Sequence, residues 1–359
     1  MWRISDFSAQ LPVCVFFIFV FLPTGAEGDR LLGMMVPACS LAVVVLNFRT
    51  PEITIDCLKT LAPEAAGDAG LRVVLVDNAS GDDSVPRIRA AIAENGWDSG
   101  WLDFRAFEKN LGFAGGNNAI LREYLARPDC PEYLLLLNSD TLVHGGCFEY
   151  CRKAMDADPR VGALSCQLFN RDGSVQNVCR LFPRPDREFV RAFGLPWMVP
   201  SLFGWADLED LGWDRKAGAR DVEWVGGAFM MLRAKALREA GVLDEGFFFY
   251  GEDCELCHRL RKAGWRIRFD PGASIVHLGG ASSDGQRMRN RMKDILTWKA
   301  RFRVQRMCYG SLAEKVSRAA YIVSFALRKT AMELTGRRGS PDYEGVCEGL
   351  KQLTGPLEP

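Results

Sequence analysis

Near-continuous apolar runs that each break off at Asn or Asp constrain this chain more than any other feature. LAVVVLN (41–47), LRVVLVDN (71–78) and YLLLLNSD (133–140) lack the alternation of a half-exposed strand. They read instead as strands buried on both faces. Between them lie segments with helical spacing. Pro51 suits a first helical turn, and EITIDCLKTL follows with Ile53, Cys57, Leu58 and Leu61 on one face. A helix is expected over 85–95, a strand over 101–107, and a Gly-rich entry into a helix over 110–127. Strand–helix alternation of this kind implies βαβ units, hence an α/β fold with a mostly parallel twisted sheet flanked by helices.

In such sheets ligands bind beyond the carboxyl ends of the strands. The polar residues that end them are Asn47, Asp77 with Asn78, Asn110, and Asn138-Ser139-Asp140. Each has a plain structural reading as an Asx-turn or helix cap. Each also has a chemical one. A carboxylate at Asp140 can hold a divalent cation shared with a diphosphate, since Mg²⁺ takes few protein oxygens when phosphate supplies the rest. A carboxylate at Asp77 can accept hydrogen bonds from a base or ribose. The segment Asn110-Leu111-Gly112-Phe113-Ala114-Gly115-Gly116 lets backbone approach a ligand closely, with a helix start facing phosphate. It is neither a P-loop nor GxGxxG, which argues against a dehydrogenase.

Beyond Asp140 the rhythm changes. A helix is expected over 147–157, a strand over 161–169 and a turn at Asp172-Gly173, then an irregular segment over 181–218. A strand over 221–233 is interrupted by Gly226-Gly227 next to Trp224, and a helix follows over 234–240. FFFYGEDCELCHRLRKAGW then sets Glu252 and Asp253 at a helix start, where they either cap the helix or take a proton from a substrate. Strands are expected near 265–269 and 274–277, then a basic helix over 286–306 and an amphipathic one over 311–327. The resulting partition is an apolar N-terminal segment (1–38), a main domain (39–283), a helical extension (284–330) and a loose tail (331–359).

Composition narrows the partners. Lys+Arg and Asp+Glu balance at 45 each, so no global field points to nucleic acid. The twelve cysteines are scattered, and Cys254 and Cys257 form a CxxC with no second pair at zinc-finger spacing. They read as buried small hydrophobes in a reducing compartment. The run LPVCVFFIFVFLP (11–23) has signal-peptide length and is short for a membrane span. Export conflicts with the cysteine reading, which favours an anchor or a true start at Met34 or Met35, and residues 1–38 are left out of the fold argument.

Seven stretches in order, VVVLNFRTPE, VDNASGDDS, EKNLGFAGGNN, LLLLNSDT, VGGAFMMLRAKAL, LDEGFFFYGEDCELCHRLRKAGWRI and IVHLGGASS, resemble glycosyltransferase family 2. These are the inverting nucleotide-sugar transferases of the GT-A fold, and the wording is closest to the rhamnosyltransferase-like branch that builds bacterial cell-surface glycans. The likeness runs from about Leu41 to Ser283. It implies a hexosyltransferase using Mg²⁺ or Mn²⁺, with a dTDP- or UDP-linked donor and a glycan or lipid-linked acceptor. Asp77 would contact the base, and Asn47, Asn78, Asn110, Gly112 and Ser139 would line the nucleotide. Asp140 matches the last acid of the DxD-type motif, whose first acid is Asn138 here, and His277 lies near the diphosphate or metal. Trp224, Gly226 and Gly227 would meet sugar or acceptor. Asp253 matches the catalytic base, and Glu252 its supporting partner. One base suffices, because the metal stabilises the departing diphosphate and no second carboxylate need protonate it; glycoside hydrolases generally need a pair.

The processive branch carries Gln-x-x-Arg-Trp; Gln286 and Arg289 are followed here by Asn290, which fits addition of a single sugar. The basic run 287–306 is a solvated helix face or a contact for anionic lipid. The amphipathic segment after it is core, homodimer interface or membrane-facing surface. The likeness therefore implies a cytoplasmic protein, peripheral at the inner face of the membrane. Two rivals stand beside it. A nucleotidyltransferase would want a Gly-rich basic loop straight after the first strand, where Asn47-Phe48-Arg49-Thr50-Pro51 has no glycine. A non-catalytic glycan- or nucleotide-binding protein would keep the fold without turnover.

Overall fold

The structure is a computed structural model that describes residues 39–208, 218–247, 250–279 and 286–355, the side chains of 286–297 excepted. The expectations for 1–38, for Phe248 and Phe249 and for the basic side chains up to 297 lie outside the described residues.

The first half alternates as the apolar runs dictate. β1 (Leu41–Asn47) leads into α1 (Pro51–Gly67), β2 (Leu71–Asp77), α2 (Ser84–Glu94), β3 (Leu102–Ala106), α3 (Gly112–Ala126) and β4 (Tyr133–Asn138). β3, β2, β1 and β4 lie side by side, all parallel. Leu41 to Val45 of β1 are wholly buried, as a strand covered on both faces requires. The register sets Asn47 beside Asp77, and Leu46 beside Asn138, so three candidate polar residues share one end of the sheet.

The second half folds back. After β5 (Thr141–Val143), α4 (Cys147–Asp156), β6 (Val161–Phe169), β7 (Val175–Gln176) and β8 (Cys179–Arg180), the chain runs through α5 (Pro185–Ala192), α6 (Leu195–Met198), α7 (Pro200–Phe203) and a 3₁₀ turn at Gly204–Ala206. It returns as β9 (Arg220–Asp221), β10 (Trp224–Val225), β11 (Phe229–Arg233) and α8 (Ala234–Ala240), then α9 (Glu252–Lys262) and β12 (Arg266–His277). β11 inserts antiparallel between β4 and β6, β12 pairs parallel with β6, and β5 closes that edge antiparallel to β12. β10 leaves the main sheet and pairs with β8, Trp224 opposite Arg180.

Three expectations are corrected. The segment after Leu181 is largely short helices, with Pro185, Pro196 and Pro200 each in a first turn, where proline's fixed φ fits and its missing N–H is not needed. The two strands foreseen over 265–277 form one, β12, whose register against β6 shifts between Arg266 and Ile267 and again between Asp270 and Ser274. The loose tail contains α12 (Pro341–Thr354), capped where the Tyr343 N–H donates to Ser340 Oγ at 3.2 Å.

That helix completes a second, smaller core. α10 (Gln286–Tyr309), α11 (Ser311–Leu334), α12 and α5 gather Phe302, Tyr321, Ala192 and Leu353. Tyr321 donates its hydroxyl to the buried Glu188 at 2.7 Å. Arg301 lies 3.6 Å from the same carboxylate and Arg303 3.1 Å from Asp244, so these two arginines of the basic run serve internal ion pairs. Among the described residues no helix is long and apolar enough to cross a membrane.

Candidate active site

At the β1–β2 end, Asp77 is buried and its carboxylate is fully engaged. The Asn47 amide donates to Oδ1 at 2.7 Å, Ser80 Oγ donates to the same oxygen at 2.5 Å, and the Ser80 N–H donates to Oδ2 at 3.0 Å. Asn47 is fixed in turn, its Oδ1 accepting from Thr54 Oγ1 at 2.8 Å. The turn that allows this puts Ala79 at φ 57° and Arg49 at φ 59°, both in the left-handed region. Arg49 is held by Ser80, whose hydroxyl accepts from the Arg49 N–H and whose carbonyl accepts from its Nε, each at 2.9 Å.

Asn78 ties this end to the Gly-rich entry of α3. Its amide donates to the Gly112 carbonyl at 3.1 Å and its oxygen accepts from the Leu111 N–H at 3.0 Å, while Asn110 Oδ1 accepts from the Gly112 N–H at 2.8 Å. Gly112 has φ 69°, which a side chain would strain. Deeper in α3, a Cβ on Gly116 would come within 3.0 Å of Leu46, so the glycine lets the helix lie against β1.

At the end of β4, residues far apart in sequence converge. His277 Nε2, from the end of β12, lies 3.2 Å from Asp140 Oδ1 and 3.4 Å from Asn138 Nδ2. Gln176 Oε1 lies 2.6 Å from His277 Nδ1 and so orients the ring with Nε2 toward the Asp140 carboxylate. A ring nitrogen and a carboxylate oxygen at this separation can share either a proton or a cation. Adjacent ligands of an octahedral ion at about 2.1 Å lie about 3 Å apart, which fits this pair. Among the described residues no three His, Cys, Asp or Glu converge as a complete cage, so further ligands would come from diphosphate and water. Asp140 and His277 are thus the residues that would hold Mg²⁺ or Mn²⁺, and Asn138, whose Nδ2 faces His277, would join them only with its amide turned to present Oδ1. Ser139, between the two β4-end ligands, is buried.

Glu252 and Asp253 open α9 behind Gly251, whose φ of 95° turns the chain into the helix. Asp253 Oδ1 accepts from the Cys254 N–H at 2.7 Å and Oδ2 from the Gly227 N–H at 3.1 Å. The next residue binds β4, as the Ala228 carbonyl accepts from the Asn138 N–H at 3.0 Å. Two successive residues of the β10–β11 connection, Gly227 and Ala228, therefore bond the Asp253 carboxylate and the backbone at the end of β4. Gly226 and Gly227 belong to that connection, and a Cβ on Gly227 would lie 3.9 Å from Asp253 Cβ.

The two acids are in different surroundings. Glu252 is buried and its Oε2 has no hydrogen-bond partner among the described residues. Burial first, and the Asp253 charge second, push its carboxyl up to about 8. Asp253 keeps part of its surface exposed. Burial raises its carboxyl too, opposed by the two N–H donors and by the Arg180 charge. Asp253 thus has two N–H donors and some exposed surface, whereas Glu252 is buried with Oε2 unpartnered among the described residues.

Several residues at the site escaped the sequence reading. Ser80 locks Asp77, Gln176 orients the His277 ring, and Arg180 lends its charge to Asp253 while its guanidinium lies 5.8 Å from the Trp224 ring. Trp224 itself donates its indole N–H to the Leu181 carbonyl at 3.0 Å. Asn118, buried in α3, brackets Leu243 with two bonds of 2.8 and 3.1 Å and so steadies the approach to α9. Only Arg180 had a visible signal, a lone cation in an apolar VCRLF stretch.

The profile described as "Glycosyl transferase family 2" matches residues 42–202, and "Glycosyl transferase family group 2" matches 200–335. Rhamnosyltransferase WbbL of Escherichia coli (strain K12) is 31% identical over 201 residues, which cover 53% of this chain and 71% of that protein. An N-acetylglucosaminyl-diphospho-decaprenol L-rhamnosyltransferase of Mycobacterium tuberculosis is 27% identical over 174 residues, 47% of this chain; the match spans 56% of the relative's length. Low-salt glycan biosynthesis hexosyltransferase Agl10 of Haloferax volcanii is 23% identical over 89% of this chain and 93% of its own. In fold, the chain is similar to a mannosyltransferase of Pyrobaculum calidifontis solved with GDP-Man and Mn²⁺, with a TM-score of 0.51 at 17% identity over 88% of this chain and 84% of the other.

Proposed function

The chain belongs to glycosyl transferase family 2, and on that premise we propose that it is an inverting glycosyltransferase that moves a sugar, rhamnose first among them, from a dTDP- or UDP-linked donor to a glycan or lipid-linked acceptor. The observation that carries this reading is the Asp253 carboxylate, fixed by the Cys254 N–H and by the N–H of Gly227, the residue before the one whose carbonyl binds Asn138.

The donor's base and ribose would rest at Asn47, Asp77 and the Asn78–Asn110–Gly112 ties, which hold this wall of the cleft rigid before any ligand arrives. Asp140 and His277, joined by Asn138 through Oδ1, would hold the cation, which when bound stabilises the departing diphosphate. Asp253 takes the proton of the acceptor hydroxyl as that oxygen attacks the anomeric carbon. The new carbon–oxygen bond forms on the face opposite the bond to diphosphate, which breaks, so the anomeric configuration inverts. Glu252, protonated near neutral pH, supports the base without competing for the proton. Relatives named as rhamnosyltransferases favour rhamnose, and the diphospho-decaprenol relative favours a lipid-linked acceptor.

A screen of nucleotide sugars, with and without Mn²⁺ and with nucleotide diphosphate release as the readout, tests the reading. Asp253→Asn is expected to lower transfer by at least 10²-fold while donor binding, measured by calorimetry, stays within about threefold. Near wild-type transfer in that variant would remove Asp253 as the base. An intact protein that binds a donor and never turns it over would favour the binding-protein reading.

A further inference from the structure

The long helix α11 is covered on one side only. It packs on α10, α12 and α5, and Glu314, Ser317, Ala320, Tyr321 and Ser324 are buried on that side. The opposite side carries Leu312, Val316, Val323, Leu327 and Leu334, exposed by 75%, 46%, 50%, 60% and 83%. Ala319, Ala326 and Thr330 lie exposed between them. At the helical repeat these positions share an arc of about 100°, and no charged residue interrupts it. The stripe runs the length of the 24-residue helix, about 35 Å.

The order of the stripe selects what covers it, because it is matched about its centre. Counting outward from Val323, Leu312 and Leu334 stand equally far on either side, and so do Val316 and Thr330, and Ala319 and Leu327. An antiparallel second copy centred on Val323 therefore sets leucine against leucine at both ends, Val316 against Thr330, and the small Ala319 against the large Leu327. Such self-complementarity is what a two-fold contact between identical surfaces requires. The alternating three- and four-residue steps of Leu312, Val316, Ala319, Val323, Ala326 and Thr330 are those of a two-helix seam.

Charge agrees with the same pairing. Lys315 and Glu333 border the stripe along one edge, near opposite ends, so the antiparallel arrangement brings Lys315 of one copy beside Glu333 of the other. Glu333 is held at that edge by Tyr343, whose hydroxyl donates to it at 2.7 Å. The other edge is Ala313, Ala320 and Ala331, small and uncharged, which lets a second helix approach closely. A helix that lies on lipid ordinarily carries aromatic residues on its apolar face and a strongly charged surround; this stripe has no aromatic residue and one edge without charge. The area is sufficient as well. The five large side chains leave on the order of 500 Å² of apolar surface per chain, so two copies bury about 1,000 Å², the size at which an interface becomes specific.

We propose that α11 pairs antiparallel with α11 of a second copy about a two-fold axis at Val323, making the protein a homodimer through its C-terminal helices. The proposal is independent of the proposed function, since no residue of the cleft enters it.

The test uses the full chain at micromolar concentration. Wild type is expected to sediment as a dimer. The double variant Val323→Glu, Leu327→Glu buries four carboxylates in the seam and is expected to raise the dimer dissociation constant by roughly a hundredfold, with an unchanged circular-dichroism spectrum. A mixture of Leu312→Cys with Leu334→Cys, treated with a short bis-maleimide, is expected to give a bridge between positions 312 and 334, identified by mass spectrometry of the joined peptides. Neither variant alone should join its own new cysteines. A monomeric wild type overturns the proposal, as does a dimer that the Glu variant leaves intact or a bridge joining 312 to 312. Two other occupants of the stripe would show themselves and would equally overturn it. Binding of monomers to phosphatidylcholine–phosphatidylglycerol vesicles that the Glu variant abolishes would make the stripe a lipid contact. A bridge from Val323→Cys to Cys14 within one chain would make the apolar N-terminal segment its cover.

Discussion

Removing the charge from Glu252 should make the fold more stable in mild alkali. Its carboxyl is buried, Oε2 lacks a partner among the described residues, and its pKa is pushed from 4.5 up to about 8. An acid whose folded pKa is raised binds its proton more tightly in the fold than in the unfolded chain. Its contribution is therefore intact below about pH 4.5 and is lost as pH rises through about 8. Between pH 5 and pH 8 a shift of this size removes about 3 kcal/mol of folding stability. That corresponds to roughly 5–10 °C in melting temperature for a domain of this class. Glu252→Gln keeps the shape of the protonated acid and carries no charge, so its urea midpoint should stay nearly flat over the range in which the wild-type midpoint falls. Paired urea titrations at pH 5, 6, 7 and 8 measure the difference. Parallel pH dependences in the two proteins would mean that the Glu252 carboxylate is solvated or partnered, and the distinction between the two acids would fall with it.

Three further outcomes follow from particular contacts. Gly251→Ala puts a Cβ at φ 95°, 3.0 Å from the Phe247 ring and 3.2 Å from Ala300, and should cost about 2–3 kcal/mol in urea titration together with a reduced kcat, since the start of α9 aims Asp253; an unstrained, fully active variant would refute that role. His277→Ala should raise the Mn²⁺ concentration for half-maximal transfer by about 10–100-fold, while metal-free donor binding by calorimetry is unchanged; an unaltered Mn²⁺ requirement would remove His277 from the cation site. Tyr321→Phe strips the hydroxyl bond from the buried Glu188 carboxylate, whose other oxygen already lacks a hydrogen bond among the described residues, and should cost about 1–3 kcal/mol by chemical denaturation; no loss would mean that the C-terminal helices are not coupled to the fold through this contact.

Much of this protein could be read from its sequence because the signals are local. A strand buried on both faces needs an unbroken apolar run, and LAVVVLN, LRVVLVD and YLLLLN supply one each; a parallel sheet then places Asn47, Asp77 and Asn138 at a common end. The helix start at Glu252 was equally plain, since acids gather in the first turn. What tertiary structure decided depends on pairs of residues too distant for any local pattern. His277 meets Asn138 across 139 positions and Gln176 across 101, and no spacing within either segment announces the meeting. The insertion of β11 between β4 and β6 is what brings the Gly227 N–H to Asp253 and the Ala228 carbonyl to Asn138. The difference between Glu252 and Asp253 is of the same kind. Side by side in sequence they are two acids at one helix start, and only burial, a matter of what the rest of the chain packs around each, leaves one protonated and the other partly exposed.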